Sequence, residues 1–284
     1  MAIFRNQATL SYGGNVTTSN VVTGELQQAV SATKYAVTDT YTQDEVLTYV
    51  VSLVNTGTTP LTGLTVTDDL GAYTAGGLTL VPLDYVVGSV NYYVNGVLQA
   101  PPTVLSNNPL TVTGISIPAG GNVFLVYEAR ANEFAPPTQG GTVTNTATVT
   151  GTGLPAPIAT SETVTAASEA FLTIGKALSP STVSEGDRLT YTFTIQNFGN
   201  TPVVATDNAT VSDNFDPILT ALTVTFNGTT WTEGVEYTYD EATGVFATVP
   251  SAITVPAATY TQNPATGAWS VIPGVSTLVV TGTV

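Results

Sequence analysis

Apolar and polar residues alternate with a period of two along most of this chain. LTYVVSLVN at 47–55, LTYTFTIQN at 189–197 and the alternate positions Leu64, Val66, Asp68 and Leu70 are typical. Such alternation predicts short strands with one face turned to a core, and no stretch carries a convincing helical period. Turn signals separate the runs. Asn95-Gly96 and Asn227-Gly228 predict tight hairpins, because that pair accepts positive φ. Asn55-Thr56-Gly57 and Asn197-Phe198-Gly199 predict further turns, and Pro60, Pro118, Pro202 and Pro256 mark strand edges or loops.

The pattern occurs twice. Lys34 matches Lys176, and each is followed at the same distance by a tyrosine, Tyr49 or Tyr191. LTYVVSLVNTGTTP at 47–60 matches LTYTFTIQNFGNTP at 189–202 without a gap, and LTVTDDL at 64–70 matches ATVSDNF at 209–215. YYVNG at 92–96 matches VTFNG at 224–228, and ISIPAG at 115–120 matches ITVPAA at 253–258. One segment is out of order. TVTNTATVTG at 142–151 closes the first repeat, and its likeness is IFRNQATLSY at 3–12; Ser19, Val22 and Thr23 likewise match Ser161, Val164 and Thr165. After VSTLVVTGTV at 275–284 the second repeat still lacks this closing segment. A lone hairpin is marginal, and an uncovered sheet edge invites pairing. The expected architecture is therefore all-β, with two tandem immunoglobulin-like β-sandwiches and an N-terminal donor β-hairpin. Residues 1–24 form the hairpin, 25–166 the first sandwich, and 167–284 an incomplete second sandwich completed by 1–24 of the next subunit. The competing expectation is that 1–24 folds back within its own chain.

Composition narrows the chemistry. The 284 residues include no cysteine and no histidine, which removes disulfides, thiolate metal sites and Ser-His-Asp catalysis. A net charge of −15 disfavours nucleic acid and anionic membranes as partners. No apolar run approaches membrane-spanning length, so no membrane insertion is expected. Asp39, Asp44, Glu45, Asp207, Asp240 and Glu241 could ligate calcium, but their spacing fits no recognised loop, and no metal or cofactor is expected. Tyr92, Tyr93, Trp231, Tyr237, Tyr239 and Trp269 could form a carbohydrate platform, although alternating aromatics more often pack in a core.

Both lysines lie on predicted strand faces that are otherwise apolar; Leu172, Ile174 and Leu178 flank Lys176. Asp68 shares a face with Leu64, Val66 and Leu70, and Asp213 with Ala209, Val211 and Phe215. On the closing strand Asn145 shares a face with Val143, Ala147 and Val149; the donor equivalents are Asn6 with Phe4, Ala8 and Leu10. Phe4, Ala8, Leu10 and Val22 are thus the expected donor core. A buried lysine, aspartate and asparagine must satisfy one another. The residues alone allow a buried ion pair capped by the asparagine.

The matched motifs resemble a bacterial and archaeal surface repeat, long catalogued as a domain of unknown function and similar to Cna-type immunoglobulin-like domains of adhesins and pili. The carriers are the early lysine, Gly186-Asp187-Arg188-Leu189-Thr190-Tyr191, the Asn-x-Gly turns followed by Thr-Pro, Thr67-Asp68 and Ser212-Asp213, and Asn145-Thr146-Ala147-Thr148-Val149. Asp44-Glu45 replaces Gly-Asp in the first repeat. The resemblance covers essentially the whole chain. It implies a structural or adhesive surface role and a Lys–Asn isopeptide bond promoted by an acidic residue. Carried onto this chain, Lys34 would join Asn145 internally with Asp68 as catalyst, and Lys176 would join Asn6 of the next subunit with Asp213 as catalyst.

The expected protein is a homopolymeric fibre subunit, outside the enzymes except for a single self-modifying turnover. The alternative is a two-domain surface adhesin or stalk module without polymerisation. Residues 1–6 show no secretory leader pattern. That feature suits an extracellular fibre made in a mother cell for a spore surface.

Overall fold

The computed structural model describes residues 2–26 and 29–284. It divides into two compact units. The first holds the chain up to Pro136, Gly141–Ala166 and Pro264–Gly267; the second holds Pro137–Gly140, Ala167–Asn263 and Ala268–Val284. Strands account for nearly all regular structure, and the described residues include a single 3-10 turn, Ala205–Asp207. The all-β reading of the sequence therefore holds.

The first unit is a sandwich of two sheets. One runs Val97–Leu98, Asn91–Val94, Asn122–Ala131, Val46–Asn55, Val30–Ala36, and Leu83–Tyr85 also pairs with Asn122–Ala131. The other runs Thr103–Asn107, Leu110–Ile117, Leu61–Asp68, Thr142–Thr150, Ile158–Ala166, Thr40–Tyr41. Alternate residues enter the core between them: Leu47, Tyr49, Val51 and Leu53 from one sheet, Leu64, Val66, Ile115, Val143 and Val164 from the other. Burying such side chains contributes about 1.5–3 kcal/mol each, so the period-two pattern is the main determinant of the fold. Thr142–Thr150 and Ile158–Ala166 form the closing hairpin, with Val143 opposite Val164 and Asn145 opposite Glu162.

The second unit repeats the first sheet as Leu172–Ser179, Arg188–Asn197, Gly274–Thr283, Thr220–Phe226, Thr229–Thr230. Opposite it stands a sheet of only three strands, Ser212–Asn214, Val245–Thr248 and Tyr237–Asp240. Among the described residues of this unit no strand takes the place of the closing hairpin, so the outer edge of Ser212–Asn214 is unpaired. The core is nonetheless continuous, built around Tyr191, Phe193, Phe215, Phe246, Leu278 and Val280.

Local sequence explains the matching corners. Asn95-Gly96 and Asn227-Gly228 both take positive φ (48° and 78°; 48° and 80°), as a two-residue hairpin requires. The Asn-x-Gly turns do more than turn. Asn55 is buried; its Nδ2 donates to the Thr59 and Pro118 carbonyls, and its Oδ1 accepts from Gly57 N. Asn197 repeats this with Thr201, Pro256 and Gly199.

The N-terminal arm stands apart from both sheets. Ala2–Asn6 pairs with Val22–Leu26, and Thr9–Tyr12 with Asn15–Thr18. The outer strand therefore reaches two residues past the expected boundary at 24. Among the described residues these strands pair only with each other. Phe4 lies across Gly24, and Val22, the sequence equivalent of Val164, stands opposite Asn6. In the closing hairpin Val164 faces Val143, the equivalent of Phe4. The free arm is thus paired out of step with the segment it resembles, by two residues in its outer strands and by one in its inner strands.

Candidate functional site

Lys34 occupies the middle of Val30–Ala36, the edge strand of its sheet. The flanking positions Val30 and Ala36 are buried, and period two turns Lys34 inward with them. Asp68 ends Leu61–Asp68 on the facing sheet, and Asn145 lies on the closing strand. The structure brings these three together. Lys34 Nζ donates to Asp68 Oδ2 at 2.6 Å. The Tyr127 hydroxyl donates to the same oxygen at 2.6 Å and accepts from Asn145 Nδ2 at 3.2 Å. Asp68 Oδ1 accepts from Leu70 N at 3.0 Å. Lys34 also stands 5.0 Å from the Tyr49 ring centre and 5.9 Å from that of Tyr127.

Burial governs the electrostatics. It pushes the Lys34 ammonium below the ordinary lysine pKa, while Asp68 pulls the other way. It pushes the Tyr49 and Tyr127 phenols well above the ordinary tyrosine range, with the Asp68 carboxylate adding to the effect. An amine whose pKa burial lowers, beside a carboxylate and a carboxamide, is a set suited to amide exchange.

Two members of this site were invisible as chemistry in the sequence. Tyr49 and Tyr127 occupy regular inward positions on strands, where a tyrosine reads as a core residue with a polar tip. The available signal was their facing positions: Tyr127 pairs directly with Tyr49 across the sheet, and their rings stack at 5.7 Å.

The second unit holds the same lysine and aspartate in a different setting. Lys176 pairs with Asp213, and its ammonium lies 4.4 Å from the Tyr191 ring centre. The lysine side chain is 41% exposed, against 0% for Lys34. Leu172, Ile174 and Leu178 on the same strand are exposed as well, Ile174 at 57%. In the first unit Ile158–Ala166 packs beside Val30–Ala36, whereas no such cover lies over Leu172–Ser179 among the described residues. The unit itself supplies no asparagine at the position of Asn145. The candidate, Asn6, lies exposed on the arm with Phe4 (56%), Ala8, Leu10 and Val22, all of them in solvent.

The other candidates resolve into structural roles. Glu45 accepts from Thr42 N, Asp207 from Val204 N, and Asp240 from Ala242 N and Thr243 Oγ1. Among the described residues no three acidic groups converge as a cation site would require. The aromatics pack: Trp231 stacks on Phe226 at 4.9 Å, Tyr237 on Phe246 at 5.5 Å, and buried Tyr92 donates to the Ser116 carbonyl. No helix of the described residues is long and apolar enough to cross a membrane.

No protein-family model matches this sequence, and no curated protein matches it. Solved structures do resemble it in fold. The major pilin subunit BcpA of Bacillus cereus aligns over 95% of this chain and 73% of its own, at 12% identity and a TM-score of 0.38. The full-length major pilin SpaD of Corynebacterium diphtheriae aligns over 86% of this chain and 59% of its own, at 13% identity and a TM-score of 0.36. A collagen-binding domain from a Staphylococcus aureus adhesin aligns over 50% of this chain and 99% of its own, at 12% identity and a TM-score of 0.30.

Proposed function

We infer that this protein is the structural subunit of an extracellular fibre that grows head to tail by strand donation. The arm of one copy takes the place of the closing hairpin in the second unit of another. The observation that carries this reading is one strand seen in two states: covered around Lys34, open around Lys176, with the arm's matching apolar side chains also in solvent. Donation would bury Phe4, Leu10 and Val22, about 1.5–3 kcal/mol each. By homology with the pairing of Ala147 and Asp68, Ala8 would stand opposite Asp213. The contact joins unlike surfaces and leaves one of each free, so it propagates as a filament. The surface-repeat motifs support a location outside the cell.

The same placement brings Asn6 to Lys176. Lys34 would then join Asn145 within a subunit and Lys176 would join Asn6 of the next, each amide releasing one ammonia, with Asp68 and Asp213 as proton carriers. Electron microscopy of the purified protein is the test. Filaments are expected from the intact chain and none from a chain lacking residues 1–24. Phe4→Asp should abolish them, while Arg5→Asp, on the opposite strand face, should not. Hot detergent should leave a ladder that Lys176→Ala or Asn6→Ala collapses to monomer. Filaments from the truncated chain, or uniform monomers from the intact one, would overturn strand donation. A ladder-free but filamentous protein would remove only the covalent bond.

A further inference from the structure

The two lysine sites are not chemically equal. Tyr127 has one hydroxyl proton, and it points to Asp68 at 2.6 Å. Towards Asn145 the hydroxyl can therefore only accept, which fixes the carboxamide nitrogen at that side, 3.2 Å away. Asn145 Oδ1 then faces away. It is buried without a hydrogen-bond partner, and so is the Tyr49 hydroxyl. Tyr127 thus bridges the carboxylate to the nitrogen that must leave.

In the second unit Tyr191 pairs with Val280 where Tyr49 pairs with Tyr127. The first tyrosine is kept and the second is a valine. The space is not empty: Phe215, standing where the first repeat has Leu70, stacks on Tyr191 at 4.9 Å. A ring is present at both sites, but only the first carries a hydroxyl between the acid and the amide.

We propose that Tyr127 is a catalytic proton relay for the Lys34–Asn145 bond, and that Val280 with Phe215 makes the Lys176 site the slow one. The proposal rests on the isopeptide reading above. The Lys34 ammonium first yields a proton to Asp68. The neutral Nζ then attacks Asn145 Cγ, and the carbonyl electron pair moves onto Oδ1. Asp68 passes its proton to Tyr127 as Tyr127 passes its own to Nδ2. The Cγ–Nδ2 bond breaks, ammonia leaves, and Asp68 takes the second proton from Nζ. The products are one amide, one ammonia and a protonated Asp68; Tyr127 is regenerated. At the second site the transfer to the leaving nitrogen has no hydroxyl to run through. Each subunit therefore locks its own first unit before it is locked to a neighbour.

The test is a time course. The full chain is made by cell-free synthesis, quenched at intervals and digested, and mass spectrometry follows ammonia loss at the Lys34–Asn145 and Lys176–Asn6 peptides. The internal bond should appear well before the intersubunit one. Tyr127→Phe should slow the internal bond about 100-fold or more, the usual range for losing a proton carrier, while urea unfolding reports whether the fold survives. The paired variant Val280→Tyr with Phe215→Leu imports the first-unit arrangement and should speed the intersubunit bond, a gain that disruption of the fold cannot produce. An internal bond formed at the normal rate in Tyr127→Phe, or no gain from the paired variant, overturns the relay and leaves the bonds standing. No ammonia loss at either peptide in the unaltered chain overturns the isopeptide reading itself.

Discussion

The first unit encloses Lys34, Asp68 and Asn145 between two complete sheets; the second holds Lys176 and Asp213 in nearly the same frame with one wall missing. Identical residue types at equivalent positions thus meet opposite solvent conditions. The difference lies in two strands, Thr142–Thr150 and Ile158–Ala166, and not in the lysine strand itself. A charge in the core is tolerable in the first unit because Lys34 is paired with Asp68, whose oxygens also accept from Tyr127 and from Leu70 N. In the second the same charge remains half in water. Covering a strand with a borrowed hairpin therefore changes both stability and chemistry at the lysine beneath it.

Three measurements sharpen this contrast, all on the chain lacking residues 1–24 so that assembly does not intrude. The largest effect should come from the lysines. Lys34→Met leaves Asp68 buried without its cation and should cost the first unit about 3–5 kcal/mol, with any lost covalent bond in addition. Lys176→Met removes a partly solvated pair and should cost the second unit about 1 kcal/mol or less. Urea unfolding followed as two transitions would show it; equal losses would mean that the sites are equally enclosed. Next, Val164→Ser should destabilise the first unit by about 1.5–3 kcal/mol, whereas Ile174→Ser should change the second by under about 0.5 kcal/mol. In the full-length chain, however, Ile174→Ser should weaken filaments. The most gradual effect is in pH dependence. While the Lys34–Asn145 bond is unformed, Lys34 has a lowered folded pKa, so the unfolded chain binds more protons just below the ordinary lysine value and the first unit gains stability as pH rises through that window. Tyr49 and Tyr127 have raised folded pKa values, so above about pH 10 the unfolded chain loses protons that the folded unit keeps. Stability then falls, by about 1.4 kcal/mol at pH 11 for each phenol held neutral. Thermal melts across pH 8 to 11 should show a shallow rise and then a drop in the first transition.

Much of this was legible in the sequence because strand faces alternate strictly. Asp68 could be placed beside Leu64 and Val66, and Asn145 beside Val143 and Ala147, by counting in twos. The hairpins at Asn95-Gly96 and Asn227-Gly228 were legible for a steric reason confined to two residues. The tyrosines were not, because the role of Tyr127 depends on which residues lie across the core, and period two fixes direction without fixing partner. The buried anchoring by Asn55 and Asn197 was hidden for a similar reason: an Asn-x-Gly turn has the same sequence whether its amide faces solvent or holds a second loop. The second unit's hairpin of Thr259–Gln262 and Trp269–Ile272 also escaped notice, since neither strand joins either sheet of its unit.

The offset pairing of the arm bears on timing. At rest Val22 is matched to Asn6, while a seated arm in the closing-hairpin register would match Val22 to Phe4. The outer strands are shifted by two residues and the inner strands by one, so every rung between the strands must break. Under the proposed strand donation a subunit must therefore unzip its arm before giving it away, and that event involves one molecule only. Growth should be second order when subunits are scarce and become independent of concentration when they are plentiful. The ceiling is then the rate at which a small exposed hairpin opens, so a pool of subunits can stand concentrated without joining all at once.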